Sequence, residues 1–284
     1  TYGDWSSDVC SSDLVVLSNQ RDRAQVLLFN PQQETSASRA IRMDIGDTKA
    51  LVPPVALGAG VVMPLDSGQV QLFSPENGKT LALPFQPETT PGTKVAWRKP
   101  VVAGNEVFLT DGQQRLYRVV LKDQPQPHLE AVASGKPVAE LLETIAVAGD
   151  TVYGVVRGTS GDMIQAFNRN DFAPGKEIPL TGRLTAGPWQ AGDVAILVSS
   201  KEGLICLEAG QNVRWQSPLS YGPLAGPPRL ESGNLLLTSQ SGTVWRIALA
   251  DGAEQDRVEL GEPLLGSAIS LPAGGILATA SDGT

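Results

Sequence analysis

Short apolar runs alternate with glycine-bearing polar turns along the chain, and the alternation comes in regularly spaced copies. A glycine, often followed by Asn or Asp, introduces a β-rich run at Gly60 (VVMPL), Gly104 (NEVFLT), Gly149 (DTVYGVV), Gly192 (DVAILVSS), Gly233 (NLLLTS) and Gly275 (ILATAS). Successive glycines stand 44, 45, 43, 41 and 42 residues apart. Val15-Val16-Leu17-Ser18 lies 46 residues ahead of its counterpart at Val61 and reads as a seventh copy.

Each run leads into a second turn and a second strand. The turns are Asp66-Ser67-Gly68, Asp111-Gly112, Ser160-Gly161, Glu202-Gly203, Ser241-Gly242 and Asp282-Gly283. Asp-Gly and Ser-Gly at such places are hairpin signals, because a tight turn needs a residue at positive φ. The following QVQLF, QRLYRV, MIQAF, LICL and TVWRIAL are rich in residues that suit a pleated, half-buried surface. A further glycine turn and another strand follow in several copies, and one more apolar stretch, such as PPVAL at 53–57 or SAISL at 267–271, precedes the introducing glycine.

Four short antiparallel strands per repeat of 41 to 46 residues predict the blade of a β-propeller. A β-sandwich, the competing all-β architecture, does not require so regular a repeat. Helical periodicity is missing except for about one turn at Ala139-Glu140-Leu141-Leu142-Glu143. Counting strands predicts a partial blade at 15–50, five blades at 51–262 and a partial blade at 263–284. Six to seven blades are therefore expected, in a sequence cut at both ends.

Residues 4–14, DWSSDVCSSDL, resemble one translated frame of a short-read sequencing adapter and are expected to be foreign to the fold, so the propeller is placed at 15–284. Setting 1–14 aside removes Asp4, Asp8 and Asp13, which lowers the acidic count from 30 to 27 and the net charge from −8 to −5. It also removes Cys10, leaving Cys206 without an intrachain disulfide partner. An acidic balance of either size argues against a general nucleic-acid binder, which needs clustered Lys and Arg. No apolar run approaches the roughly 18 residues of a membrane helix.

The repeat also has a family likeness. Gly203-Leu204-Ile205-Cys206-Leu207-Glu208-Ala209-Gly210, ending in Trp215, resembles the pyrroloquinoline quinone-type propeller repeat. Gly68 to Lys79 matches the same pattern without the tryptophan, and Gly242 to Gly252 is a shorter match. WD40 propellers are the next family considered, but no GH…WD pair punctuates these blades. The resemblance implies either a quinone-dependent dehydrogenase or a non-catalytic propeller of the outer-membrane assembly lipoprotein kind, and it implies a periplasmic or otherwise extracytoplasmic location.

Chemistry is sparse. The dehydrogenases of this likeness carry an adjacent cysteine pair, a calcium ion and an aspartate base, whereas Cys206 is single and reads as a small buried hydrophobe. Asp162, Asn168, Asn170 and Asp171 form the densest set of oxygen ligands, without the spacing of a calcium loop, and read as turn caps. His128, the only histidine, sits in the proline-flanked QPQPHL and is expected to face solvent. Glu140 and Glu143 could supply an acid pair, but a solvated edge explains them with less effort. No G-x-S-x-G elbow, Walker loop or C-x-x-C-H haem site occurs.

These observations favour a non-catalytic scaffold that binds another protein or an extracellular ligand through its inter-strand loops, with no cofactor, no metal and no catalytic residue. Trp97, Trp189 and Tyr221 are the expected loop-face contacts, against a competing expectation that they pack between blades. The alternative is part of a pyrroloquinoline quinone-dependent dehydrogenase, and only under it would the quinone and calcium be cofactors.

Overall fold

The computed structural model describes residues 13–19, 23–29, 38–89, 94–112, 114–271 and 274–282. Residues 4–12 of the adapter-like segment, Cys10 included, lie outside them. Every regular element among the described residues is a strand, and consecutive strands form antiparallel meanders. The chain divides into two compact units, Thr1–Glu140 with Asn170–Phe172, and Leu141–Arg169 with Ala173–Thr284.

The first unit holds β1 (Asp13–Asn19), β2 (Arg23–Phe29) and β3 (Ser38–Arg42) in one sheet. A second sheet pairs β4 (Val55–Leu57), β5 (Gly60–Pro64) and β6 (Val70–Phe73). A third pairs β7 (Val101–Ala103), β8 (Glu106–Thr110), β9 (Leu116–Lys122) and β10 (His128–Gly135). The second unit begins with β11 (Ala146–Ala148), β12 (Thr151–Arg157), β13 (Asp162–Asn168) and β14 (Pro174–Pro179). Next come β15 (Leu184–Ala191), β16 (Val194–Ser199), β17 (Gly203–Glu208) and β18 (Asn212–Ser217), then β19 (Arg229–Glu231), β20 (Asn234–Thr238), β21 (Thr243–Ala248) and β22 (Glu254–Glu259). β23 (Leu264–Ser270) and β24 (Ile276–Ala280) form a two-stranded sheet. The four-stranded antiparallel sheets are blades of an all-β propeller.

Burial explains the sequence pattern. The second strand of each blade is apolar without alternation because both of its faces are covered. β12 and β16 are buried almost throughout, while the outer strands β14 and β22 are exposed nearly end to end. Alternate residues of a middle strand enter different cores. Ala195 and Leu197 join Tyr153 and Ile164 of the preceding sheet. Val194, Ile196 and Val198 join Leu235, Leu237 and Trp245 of the following one. Leu236 then meets Leu264 and Ala268 of β23. Each such leucine contributes about 1.5–3 kcal/mol by leaving water.

In the sheet β4–β6, residues 80–85 do not make a regular fourth strand. Pro84 supplies no amide, and neighbouring residues bond in two directions. Leu81 and Phe85 donate to Leu72 and Val70 of β6, whereas Leu83 donates to Pro127 and accepts from Leu129 of β10. The segment stitches two sheets of the unit together. His128 consequently opens a strand instead of lying in a solvated loop, with Nδ1 2.8 Å from the Gln126 carbonyl and Nε2 3.7 Å from Glu130. The helical turn expected at 139–143 is absent as well: Leu141 bridges to Val156 and Leu142 donates to Val155.

One irregularity recurs. In all four four-stranded sheets, the outermost strand carries one more residue than the stretch of neighbour it pairs with. The shifts fall at Ala131/Ala133 in β10, between Pro174 and Glu177 in β14, between Val213 and Trp215 in β18, and between Glu254 and Asp256 in β22. Such bulges add twist at the rim of each blade.

Candidate functional site

In an antiparallel meander, the turn between the second and third strands and the connector to the next blade leave from the same end. In the second unit that end gathers the turns at 158–161, 200–202 and 239–242 and the connectors at 180–183, 218–228 and 260–263. Polar side chains of the turns hold the connectors. Glu202 accepts from the Thr181 amide at 3.1 Å, the Thr181 hydroxyl at 3.2 Å and the Ser199 hydroxyl at 2.9 Å. Ser200 Oγ accepts from the Arg183 amide at 2.9 Å. One blade later Ser241 donates to the Tyr221 carbonyl at 2.7 Å, and Gln240 donates to the Leu224 carbonyl at 3.2 Å.

Asp162 is the most enclosed of these anchors, with its side chain 0% exposed. It accepts from Arg183 at 2.8 Å, from the Leu184 amide at 2.8 Å and from Arg157 at 3.1 and 3.2 Å. Burial by itself would raise its carboxyl, but the Arg183 and Leu184 bonds and the two guanidinium charges outweigh that and hold it below the ordinary carboxylate range. Arg183 also donates to the Gly158 carbonyl at 2.8 Å, closing the turn from above. In the first unit Asp66 uses the same device, accepting from the Lys49 amide at 2.9 Å, whereas Asp111 closes its own hairpin by accepting from the Arg115 amide at 3.2 Å and the Tyr117 hydroxyl at 3.0 Å.

Between the 199–203 turn and the 216–223 segment lies an open groove of about 630 Å³, lined among others by Ser200, Lys201, Ser217, Leu219 and Pro223. Gly203 sets its width. It sits at φ 76°, and a Cβ there would come within 2.4 Å of the Ser217 carbonyl oxygen. Glu202 is spent on Thr181 and Ser199, so Lys201, which is exposed, is the groove's outward charge.

The three aromatic residues singled out in the sequence occupy different settings. Trp97, in the first unit, is a core residue at 3% exposure, with Tyr117 and Phe85 6.0 and 6.4 Å away between ring centres. Its Nε1 has no hydrogen-bond partner among the described residues. Trp189 lies within β15, not in a loop, because Ala191 and Gln190 already pair with Val194 and Ala195. Tyr221 does sit in the 218–228 connector, edge-on to Trp245 at 5.1 Å. Its hydroxyl donates to Glu254 and accepts from Arg257 at 2.9 Å; the bond to Glu254 holds the phenol above its usual pKa. Trp189 and Tyr221 lean on the same core as Trp215, and Trp97 does not.

Residues 173–257 match the family described as outer membrane protein assembly factor BamB. Among solved structures, BamB from Moraxella catarrhalis superposes with a TM-score of 0.55 at 16% identity, covering 95% of this chain and 77% of that one. The repeat within residues 173–257 is thus similar to that family's. The computationally designed Ika8 protein superposes at a TM-score of 0.63 and 10% identity, over 95% of this chain and 79% of that one. A chain of the Mitotic Checkpoint Complex does so at 0.60 and 10%, over 95% and 82%. No curated protein matches the chain.

The oxygen-ligand set considered for calcium does not fit that ion. Asp162 faces two guanidinium groups that would repel a cation, and the Asn170 side-chain carbonyl accepts from Arg118 at 3.2 Å. Sequence reasoning found the turns Asp66, Glu202 and Ser241 by their glycines but assigned these residues to the turn alone. Their second bond, to a connector in another part of the chain, carries no local sequence signal.

Proposed function

We propose that this chain is a non-catalytic propeller scaffold that binds another protein at the turn-and-connector end of its second unit. The observation that carries the reading is a coincidence of position. The groove between Ser199–Gly203 and Gln216–Pro223 lies wholly inside residues 173–257, the stretch that matches an assembly factor. One wall is tied by Glu202 and Ser200 and the other by the Ser241 bond to Tyr221, so a partner meets a surface already ordered and loses little entropy in ordering it. The same match supports an extracytoplasmic location.

Site-specific photocrosslinking tests this. A benzophenone amino acid at Lys201 is expected to capture one protein reproducibly from the source organism, and that protein, once purified, binds the chain. The same probe at Lys176, on the outer strand β14, is the control. Equal capture at both positions, or a captured protein that shows no binding when purified, overturns the reading.

A further inference from the structure

The chain as a whole is acidic, at −8, but the turn-and-connector end of the second unit turns cations outward. Arg157 ends β12, Arg183 lies in the 180–183 connector and Lys201 in the 200–202 turn. Arg183 joins the three. Its Nη1 donates to Asp162 and to the Gly158 carbonyl at 2.8 Å each, its Nη2 to the Thr159 carbonyl at 3.3 Å, and its backbone amide to Ser200 Oγ at 2.9 Å. Gly182 tightens the seam, since a Cβ there would stand 2.5 Å from Ser200 Oγ and 2.9 Å from the Lys201 amide nitrogen.

The two carboxylates of this seam are turned inward. Asp162 is fully enclosed beneath the two guanidinium groups, and Glu202 has its oxygens on Thr181 and Ser199. Arg157, by contrast, is 58% exposed and spends only Nη1 on Asp162. Its Nε and Nη2, the edge of a guanidinium that grips a carboxylate with two parallel bonds, have no partner among the described residues. Lys201 is exposed and makes no ion pair among them either. The next blade offers no such pair, since its turn at 239–242 reads SQSG and its connector at 260–263 carries Glu262.

We propose that the protein partner docks through an acidic segment, with one carboxylate on the Nε and Nη2 edge of Arg157 and another on Lys201 at the groove; this rests on the scaffold reading above and adds the chemistry of the partner. Leu219 and Pro223, which line the same groove, receive apolar side chains of the segment beside its acids. The negative net charge does not oppose this. It is spread over the whole surface and screened beyond about 8 Å at physiological ionic strength, whereas the two cations act at contact distance. Such pairs at the rim of an interface govern orientation and the rate of association, which suits a surface that selects one partner.

Fluorescence anisotropy of a fluorescein-labelled deca-glutamate peptide with the full chain tests the chemistry directly. Saturable binding at about 20 mM salt, weakened about tenfold at about 300 mM, is expected. Lys201→Glu should weaken it about tenfold. Neutral changes that leave the other cations, Lys201→Gln and Arg157→Gln, should each weaken it about threefold. Lys176→Glu, the same change of net charge on β14, should leave it within about twofold. Lys201 is exposed, so its variants keep the parent circular dichroism spectrum, and they decide the matter if Arg157→Gln does not fold. No saturable binding, or equal losses at Lys201 and Lys176, overturns the proposal. So does Lys201-dependent binding to phosphatidylglycerol vesicles without binding to the peptide, which would make this end a lipid-facing surface. Crosslinking judges the scaffold reading separately. A captured partner whose affinity ignores both salt and Arg157→Gln keeps that reading and overturns this proposal, whereas peptide binding with no captured protein leaves the acidic preference standing and overturns the scaffold reading.

Discussion

The indole Nε1 of Trp215 donates to the carbonyl oxygen of Leu249 at 2.8 Å, joining the outer strand of one blade to the end of the third strand of the next. The ring lies flat on the chain at Gly252, where a Cβ would meet it at 2.8 to 2.9 Å, and the glycine sits at φ 74°. Gly252→Ala therefore meets both a backbone penalty and a clash. A loss of about 2–3 kcal/mol in urea unfolding is expected. Gly261→Ala, at a similar φ but with nothing near the new methyl, separates the two effects and should cost about 1 kcal/mol.

Asp162 makes stability depend on acid. A carboxyl held below its unfolded value of about 4 contributes stability that is complete above that pH and is lost as pH falls through the lower folded value. Unfolding free energies measured between pH 7 and 2 should drop below about pH 4. Asp162→Asn should cost about 3 kcal/mol at pH 7, the low end for a buried pair because Arg157 and Arg183 are 58% and 41% exposed, and should flatten the acid limb. An unchanged acid limb would show that other carboxylates set it.

The alkaline limb is expected to involve Tyr153. Burial pushes its phenol up to about 12, and its hydroxyl donates to the Glu208 carbonyl at 2.6 Å, a contact between adjacent blades. A raised phenol contributes stability that is full below about pH 10 and is lost as pH rises towards the folded value. Tyr153→Phe should lose about 1 kcal/mol at pH 8 with the hydrogen bond, and lose less than the parent chain between pH 9.5 and 11.5. Urea titrations at each pH measure both.

Cys206 is enclosed between Ile196 and Trp215, and burial pushes its thiol up to about 12. The reactive thiolate is thus suppressed as well as shielded. Peptide mapping after iodoacetamide treatment should find Cys206 unmodified in the folded chain and fully alkylated in denaturant. Partial labelling under native conditions would reveal opening of the sheet β15–β18.

The blade pattern was readable in the sequence because it rests on local signals: a glycine at each turn and apolar runs of strand length. The runs at Gly149, Gly192 and Gly233 became β12, β16 and β20. What escaped were bonds between distant parts of the chain. QPQPHL looks like a loop until Leu83, 45 residues earlier, pairs with His128. Trp189 looks like a loop aromatic because Gly187-Pro188 precedes it, yet β15 runs through both. For Trp97 the sequence leaves a loop-face contact and a packing role open, and the side chain fills a core with Tyr117 and Phe85. At the candidate site, Tyr221 was placed in its loop correctly, while the anchoring of connectors by Asp162 and Glu202 depends on residues about 20 positions away.

The extra residue in each outer strand bears on how such a chain assembles without error. Modules of similar length and composition sit side by side, and an outer strand could be captured by the wrong third strand as the chain collapses. Pairing that tolerates one surplus residue at a single point works as a notched key. A strand seated one residue out of place would put the notch opposite a regular stretch and turn its side chains to the wrong face. Backbone length at the rim of each four-stranded blade thus adds a second marker of register to the one its side chains supply.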